Sequence, residues 1–201
     1  MSEGAGMSSP IYITRHGQTD WNATARVQGQ AEADLNALGR RQAALNGEKL
    51  ARLIPDPSGF RFIASPMRRT RETMEIIRGK MGLPRDGYAL EPRIVEVHFG
   101  DWQGSTFAEL EAQVPGTSAA READKWNFVP PGAAAESYAM LEDRIRPWLL
   151  ELTGPVLVVT HGGVIRTLFH MLNGLSDREA AAMDVYQDRV LTLEGGRIAW
   201  I

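Results

Sequence analysis

The chain has 201 residues, 43% of them hydrophobic, enough for one well-buried α/β domain and small for two. Its formal charge is only −3, so no global field draws it to nucleic acid or to an anionic membrane. It has no cysteine, which removes thiol catalysis, disulfides and cysteine-bound metal.

No apolar run approaches the ~20 residues that span a bilayer. Met1 to Ser9 lacks the apolar core of a signal peptide and is expected to be a flexible tail before a single domain over residues 10–201. The cytoplasm is the expected compartment. Ile11-Tyr12-Ile13 reads as a buried strand that stops at the polar turn Thr14-Arg15-His16-Gly17-Gln18-Thr19. Gln18 to Ala37 follows as a loop over the site. Asn36 then caps a helix over roughly Leu38 to Ile54, stopped by Pro55-Asp56-Pro57.

Phe60 to Ala64 is a second strand, leading through Ser65-Pro66 into a helix with Met67, Met74, Ile77 and Met81 at helical spacing, ended by Gly82-Leu83-Pro84. Leu90 to Val97 is expected to be an extended piece carrying Glu96. Thr106 with Glu109 forms a capping box. Val114 to Ala135, rich in Pro, Gly and Ala, is expected to be an irregular lid. Glu136 to Leu152 is helical, with Leu141, Ile145, Trp148 and Leu152 on one face and a kink at Pro147.

Val156-Leu157-Val158-Val159 reads as a strand buried on both faces, and Val164 to Phe169 as the start of a helix after it. Ser176 with Glu179 caps a helix to about Met183. The chain closes with a hairpin: Val190 to Leu193, the turn Gly195-Gly196, and Ile198 to Ile201. Strands alternating with helices point to an α/β fold, a mostly parallel sheet covered on both faces with the hairpin as an antiparallel edge.

Three strand ends carry the chemistry. The first ends in Arg15-His16-Gly17, another in Thr160-His161-Gly162-Gly163, and a third leads to Arg68-Arg69-Thr70-Arg71. Ligands in α/β folds bind at such strand ends. Neutral imidazole is a nucleophile near pH 7, guanidinium offers a planar fork of donors to phosphate oxygens, and glycine admits a ligand close to the backbone. Two of the four histidines share this setting. Together these features suit phosphoryl transfer to a nitrogen atom.

The chain resembles the histidine phosphatase superfamily, which includes cofactor-dependent phosphoglycerate mutases and many small phosphatases. The resemblance rests on Arg15-His16-Gly17, Trp21-Asn22, Arg26-Val27-Gln28-Gly29, Leu35 to Gly39 with Arg40-Arg41-Gln42-Ala43, Ser65-Pro66-Met67-Arg68-Arg69-Thr70, Glu96-Val97-His98-Phe99-Gly100-Asp101-Trp102-Gln103-Gly104, Glu136-Ser137 and Thr160-His161-Gly162-Gly163. These pieces fall in family order and cover nearly the whole chain from Ile11.

The resemblance implies His16 as the nucleophile and Arg15, Arg69 and His161 as the phosphate pocket. Arg69, rather than Arg68, falls at the family's Ser-Pro-x-x-Arg spacing. Glu96, by its place in the Glu-Val-His-Phe-Gly-Asp-Trp-Gln-Gly stretch, is the expected general acid, a role that asks for a carboxyl holding its proton near neutrality. Asn22 matches a family position near the phosphate and Gln28 one near the substrate; Gln28 is alternatively a loop brace. Gly162 either offers its N–H to phosphate or is the small residue of a tight turn. His98 either reaches the substrate or belongs to its loop, and His170 packs on its helix. Trp21, Trp102, Trp126 and Phe128 either wall the pocket or serve as core.

Two departures from family habit stand out. Asp34-Leu35-Asn36 replaces Pro-Leu-Thr, with Asn still able to cap, and Trp102-Gln103-Gly104 replaces Trp-Glu-Gly, which removes a carboxylate near the site.

A metal site is disfavoured because Arg15 and Arg69 would repel a divalent cation, and no cofactor is implied. A non-catalytic phosphate-binding module would have no need of both the nucleophile and the acid. Within the family, the mutases carry a longer insertion between the acid and the second histidine, whereas this chain is short there and resembles the phosphatase branch. Its phosphohistidine-protein phosphatases are smaller still and lack the segment that bears the acid. The expectation is therefore a phosphatase acting on a small phosphorylated metabolite through a phosphohistidine, with phosphoglycerate mutase as the alternative. A homodimer is left open.

Overall fold

The computed structural model describes residues 10–201, so the tail expected over Met1 to Ser9 lies outside the described residues. The first strand, β1 (Ile11–Arg15), is followed by a short helix α1 (Asp20–Ala23) and the long helix α2 (Ala37–Leu53). β2 (Arg61–Ala64), α3 (Arg68–Lys80) and the two-residue β3 (Ala89–Leu90) come next. Four short helices or turns of helix fill the middle of the chain: 3₁₀ turns at Pro92–Ile94 and Gly100–Trp102, then α4 (Phe107–Gln113) and α5 (Thr117–Ala123). Then come α6 (Tyr138–Glu151), β4 (Val156–Thr160), α7 (Gly162–Asn173), α8 (Asp177–Ala182) and the hairpin β5 (Val190–Glu194) and β6 (Arg197–Trp200).

The six strands form one sheet in the order β3-β2-β4-β1-β5-β6. The first four are parallel, and β5 and β6 add an antiparallel edge. The α/β fold expected from the sequence is the one observed. β4 lies between two parallel neighbours with all five residues buried, as its unbroken apolar run requires. Alternate residues serve opposite faces. Val156 and Val158 join Leu141, Ile145, Ile165 and Leu168 of α6 and α7, while Leu157 and Val159 join Leu50, Met74 and Ile77 of α2 and α3. Each such fully buried aliphatic side chain contributes roughly 1.5–3 kcal/mol relative to exposure.

Local signals account for most boundaries. Asn36 accepts from Gly39 N–H at the start of α2, and the reciprocal capping boxes of Thr106–Glu109 and Ser176–Glu179 open α4 and α8. The hairpin turns on Gly195 and Gly196, both at positive φ (56° and 76°), where side chains are disfavoured.

Three expectations need correction. The extended piece over Leu90 to Val97 is a strand only as far as Leu90, because Pro92 has no N–H to give a ladder and opens the 3₁₀ turn instead. The loop from Gln18 to Ala37 contains α1, capped reciprocally by Thr19 and Asn22. The segment from Val114 to Ala135 contains α5, whose start follows Gly116 at φ 92°.

Candidate active site

Sheet register brings the three strand ends together. Arg15 pairs with Thr160 across β1 and β4, and Ala64 with Val159 across β2 and β4. One residue further on, His16 N–H donates to Thr160 O at 3.0 Å and Ser65 N–H to Val159 O at 3.1 Å. His16, His161 and Ser65 thus leave three adjacent strands at one edge, although their sequence positions span most of the chain. Gly17 is required there, since a Cβ would strike the carbonyl of Gly39 where α2 begins.

His16 is 2% exposed, and its ring lies 5.2 Å from that of His161. Its Nδ1 sits 2.8 Å from Gly17 O. A carbonyl can only accept, so Nδ1 carries the hydrogen and the lone pair is on Nε2. Burial, then the nearby Arg69 and Arg15 guanidiniums, hold the His16 pKa well below its ordinary value. The imidazole is neutral at pH 7 with one nitrogen free to attack.

His161 is fully buried, and burial followed by Arg69, His16 and Arg15 pushes its pKa well down too. Its Nε2 meets Ser65 Oγ at 2.8 Å, while Ser65 Oγ accepts from Met67 N–H at 3.5 Å. Ser65 Oγ has no other acceptor for its own hydrogen among the described residues, so the hydroxyl donates to Nε2 and the hydrogen of His161 is placed on Nδ1.

Arg15 donates from Nη1 to Val185 O at 2.8 Å. Arg69, wholly buried, donates to Ala31 O at 2.9 Å and Gly29 O at 2.6 Å, which pins the loop before α2. Desolvation lowers the Arg15 pKa to about 10, and lowers that of Arg69 as well. Four buried polar atoms have no partner among the described residues: Arg15 Nε, Arg69 Nε, His161 Nδ1 and Gln28 Oε1. Native interiors seldom leave such atoms unpaired, and each costs about 1–3 kcal/mol. Three donors and an acceptor around one histidine are what a partly protonated oxyanion would satisfy.

Arg15, His16, Gln28 and Arg69 open on a cavity of about 290 Å³ lined also by Asn22, Glu96 and Gly162, among others, while His161 lies behind its wall, edge-on to the His16 ring. Glu96 reaches it from the loop after the first 3₁₀ turn. Its carboxylate accepts from Gly163 N–H at 2.9 and 3.2 Å and from Val97 N–H at 3.0 Å. Arg144 of α6 braces that loop, donating to Arg93 O, Val95 O and Glu96 O while paired with Glu136 at 2.9 Å. Gly162 begins α7, with the Arg15 guanidinium about 3.5 Å from where its Cβ would stand. Three donors crowd Asn22 Oδ1, from Thr19 N–H, the Thr19 hydroxyl and Gln187, so the amide nitrogen is the group left to serve a ligand.

His98 does not line the cavity: its Nδ1 accepts from Gly100 N–H at 3.0 Å, which ties up its own loop. The four aromatics are also elsewhere. Trp102 and Phe128 stack in a small cluster with Val27 and Leu110, Trp126 stacks on Tyr138 in the main core, and Trp21 packs by Gly104. Phe99, Phe107 and Tyr138 take the wall positions. Gln103 Oε1 accepts from Gln30 N–H at 2.7 Å and holds the loop that carries Gln28. His170, on α7, is bonded to Glu142 and Asp177 rather than simply packed.

Sequence reasoning missed Ser65, Gly163, Arg144, Gln187 and the backbone of Val185, all of which hold site residues from outside. It also missed Arg121, Lys125 and Arg166 on the cavity wall. The four-residue spacing from Gly162 to Arg166 on one helix was a usable signal for the last of these. Among the described residues, no group of three or more His, Asp or Glu side chains is placed to hold a metal ion, and no helix is long and apolar enough to cross a membrane.

A model of the histidine phosphatase superfamily (branch 1) matches residues 11–200. The chain is 36% identical over 178 residues to a glucosyl-3-phosphoglycerate phosphatase of Mycolicibacterium vanbaalenii, covering 82% of this chain and 74% of that one. It is 32% identical over 164 residues to phosphoglycerate mutase-like protein 4 of Arabidopsis thaliana, covering 79% and 69%. The structure of a mycobacterial glucosyl-3-phosphoglycerate phosphatase complexed with VO₃ superposes with a TM-score of 0.78 at 30% identity, over 96% of this chain and 97% of that one. By fold, by strand-end histidines and by these likenesses, the chain belongs to the histidine phosphatase superfamily, branch 1, as a phosphoric monoester hydrolase.

Proposed function

We propose that the protein hydrolyses a small phosphorylated metabolite through a phosphohistidine formed on His16. The observation that carries this reading is the trio of buried, unpartnered donors, Arg15 Nε, Arg69 Nε and His161 Nδ1, arranged around a neutral histidine whose Nε2 is free. In the first step Nε2 attacks phosphorus and the ester P–O bond breaks. The leaving oxygen takes a proton from the Glu96 carboxyl, and the three donors hold the phosphoryl oxygens as charge spreads over them. In the second step water attacks phosphorus, its proton passes to the Glu96 carboxylate, the P–N bond breaks, and phosphate leaves with His16 restored. Asn22 and the Gly162 N–H add donors to the phosphoryl group, and the unpaired Gln28 Oε1 accepts from a hydroxyl of the substrate or from a protonated phosphate oxygen. His98 acts by shaping its loop.

The enzyme works as a single domain in the cytoplasm, without a metal, because fixed guanidinium charge does the work of a cation. The test is a screen of phosphorylated metabolites for released phosphate, joined to rapid quenching with labelled ester to trap an acid-labile, base-stable adduct. A His16→Ala protein turning over at the wild-type rate would overturn the mechanism. Interconversion of 2- and 3-phosphoglycerate that depends on 2,3-bisphosphoglycerate, with negligible phosphate release across the screen, would make the protein a mutase.

A further inference from the structure

The segment from Met183 to Arg189 joins α8 to β5 without regular structure. Its alternate carbonyls are all taken by side chains at or behind the catalytic cavity. Arg166 Nε donates to Met183 O at 3.2 Å, Arg15 Nη1 to Val185 O at 2.8 Å, Asn46 Nδ2 to Gln187 O at 3.0 Å and the Thr14 hydroxyl to Arg189 O at 3.3 Å. The spacing of two is that of extended chain. The segment is a strap across the site.

Gln187 adds its side chain to this grip. Its Nε2 lies 3.1 Å from Asn22 Oδ1 and 3.2 Å from His16 O. An amide nitrogen carries two hydrogens, one for each of these acceptors. His16 N–H donates to Thr160 O, so both peptide groups flanking the nucleophile are held, one from β4 and one from the strap. Asn22 lies in α1, a single turn of four residues. So short a helix is not stable by itself, because ordering its backbone costs more than its few hydrogen bonds return. The capping box with Thr19 fixes Asn22 Oδ1 within that turn, at 3.1 Å from the Thr19 N–H and hydroxyl alike, but does not tie the turn to His16. Gln187 makes that tie, from 165 residues away.

We propose that Gln187 is a positioning residue for phosphoryl transfer. By holding Asn22 Oδ1 and the His16 carbonyl on one amide, it turns the Asn22 amide nitrogen toward the phosphoryl group at a set distance from the nucleophile. The inference rests on the phosphohistidine reading above and on Asn22 as a donor to the phosphoryl group. A fixed donor stabilises developing charge without having to reorganise, and a displacement of about 1 Å can cost about 10²-fold in rate.

The experiment begins with Gln187→Met, which keeps the length of the side chain and removes both hydrogens. Arg15, Asn46 and Thr14 still anchor the strap, so Tm should fall by only about 2–8 °C, the effect of one or two hydrogen bonds in a chain of this length. The kcat on p-nitrophenyl phosphate should fall roughly 10- to 100-fold, and vanadate should inhibit more weakly by a similar factor. Gln187→Glu, of the same shape, should lose at least as much, since its carboxylate meets the two acceptors with no hydrogen to give. It carries the test should the methionine variant not fold. A residue that acts through Asn22 has little left to act on once Asn22 is alanine. In an Asn22→Ala background, either substitution should therefore cost only about 3-fold more. Single and double variants whose losses multiply to within about 2-fold, or single variants with unchanged kcat and vanadate inhibition, would overturn the assignment while phosphate release kept the phosphatase reading intact. No phosphate release from any ester by the wild-type protein would overturn that reading and this inference with it.

Discussion

The N–H of Gly163 donates to both carboxylate oxygens of Glu96, across 67 residues of sequence. The second residue of α7 thereby aims a loop carboxyl into the cavity, and its lack of a side chain is what allows the contact. A Cβ on Gly163 would run into Glu96 Oε1.

Glu96→Gln is expected to slow hydrolysis of an alkyl phosphate by about 10²- to 10⁴-fold, the usual range for a lost general acid. The loss should be much smaller for p-nitrophenyl phosphate, whose leaving group departs without a proton. Gly163→Ala should reproduce the same substrate-selective pattern in milder form, because it displaces the carboxyl without removing it. Equal losses on the two substrates would show that Glu96 positions the substrate instead of donating to it.

Arg69→Ala should cost about 10²- to 10³-fold in kcat, the typical effect of removing one fixed donor to developing charge. Arg68→Ala should change it little. The Arg68 side chain is exposed and meets Glu32 and Asp34 at 3.9 and 3.4 Å, surface pairs worth about 0–1 kcal/mol to stability. Steady-state kinetics on one substrate separates the two variants, and comparable losses would contradict the assignment of the phosphate pocket to Arg69.

Much of this arrangement was legible in the sequence because short-range chemistry dictated it. Apolar, β-branched runs ending at Arg15-His16 and Thr160-His161 predicted parallel strands with a shared edge, and the register delivered both histidines to it. Asn36, Thr106 and Ser176 announced their helices by capping. Contacts made through backbone atoms had no such signature. The Arg15 bond to Val185 O and the Gly163 bond to Glu96 involve groups every residue possesses, so only the fold reveals which one is used. Bulk alone left Trp102 and Trp126 open between pocket wall and core, and burial in apolar clusters decides for core. α5 escaped notice because its flanking Pro and Gly residues hid seven helical ones.

Acid should destabilise the fold through His16 and His161. Their folded pKa values lie well below the ordinary 6.5 of an exposed histidine, owing to burial and the adjoining arginines. As pH falls below 6.5, the unfolded chain binds protons that the folded site refuses, so stability drops until the folded values are reached. Carboxylates held low, such as Glu91 and Glu109, titrate beneath that window. Tm should therefore be level above about pH 7.5 and decline from 6.5 to 5. A level or rising Tm across that lower interval would show that the two rings are not held neutral.

On the proposed mechanism, in which guanidinium groups rather than a bound cation neutralise the phosphoryl oxygens, activity should survive exhaustive treatment with EDTA. Vanadate should inhibit competitively by occupying the unpaired donors as a five-coordinate mimic of the transition state. Loss of activity in chelator, restored by a divalent ion, would refute the arginine-based account.

The first strand of the sheet is clasped between partners that begin at Val156 and Val190. Arg15 leans on Val185 and His16 on Gln187, 170 and 171 residues further along. On the ribosome, His16 is made well ahead of the strands and the glutamine that seat it. A polypeptide emerging at about 5–20 residues per second carries β1 without either strand partner, and Arg15 without Val185, until residues 156–193 follow. Hydrolytic competence arrives as a late, abrupt event of biogenesis, when the closing hairpin docks, and a prematurely terminated translation product would carry the phosphatase signature without its power.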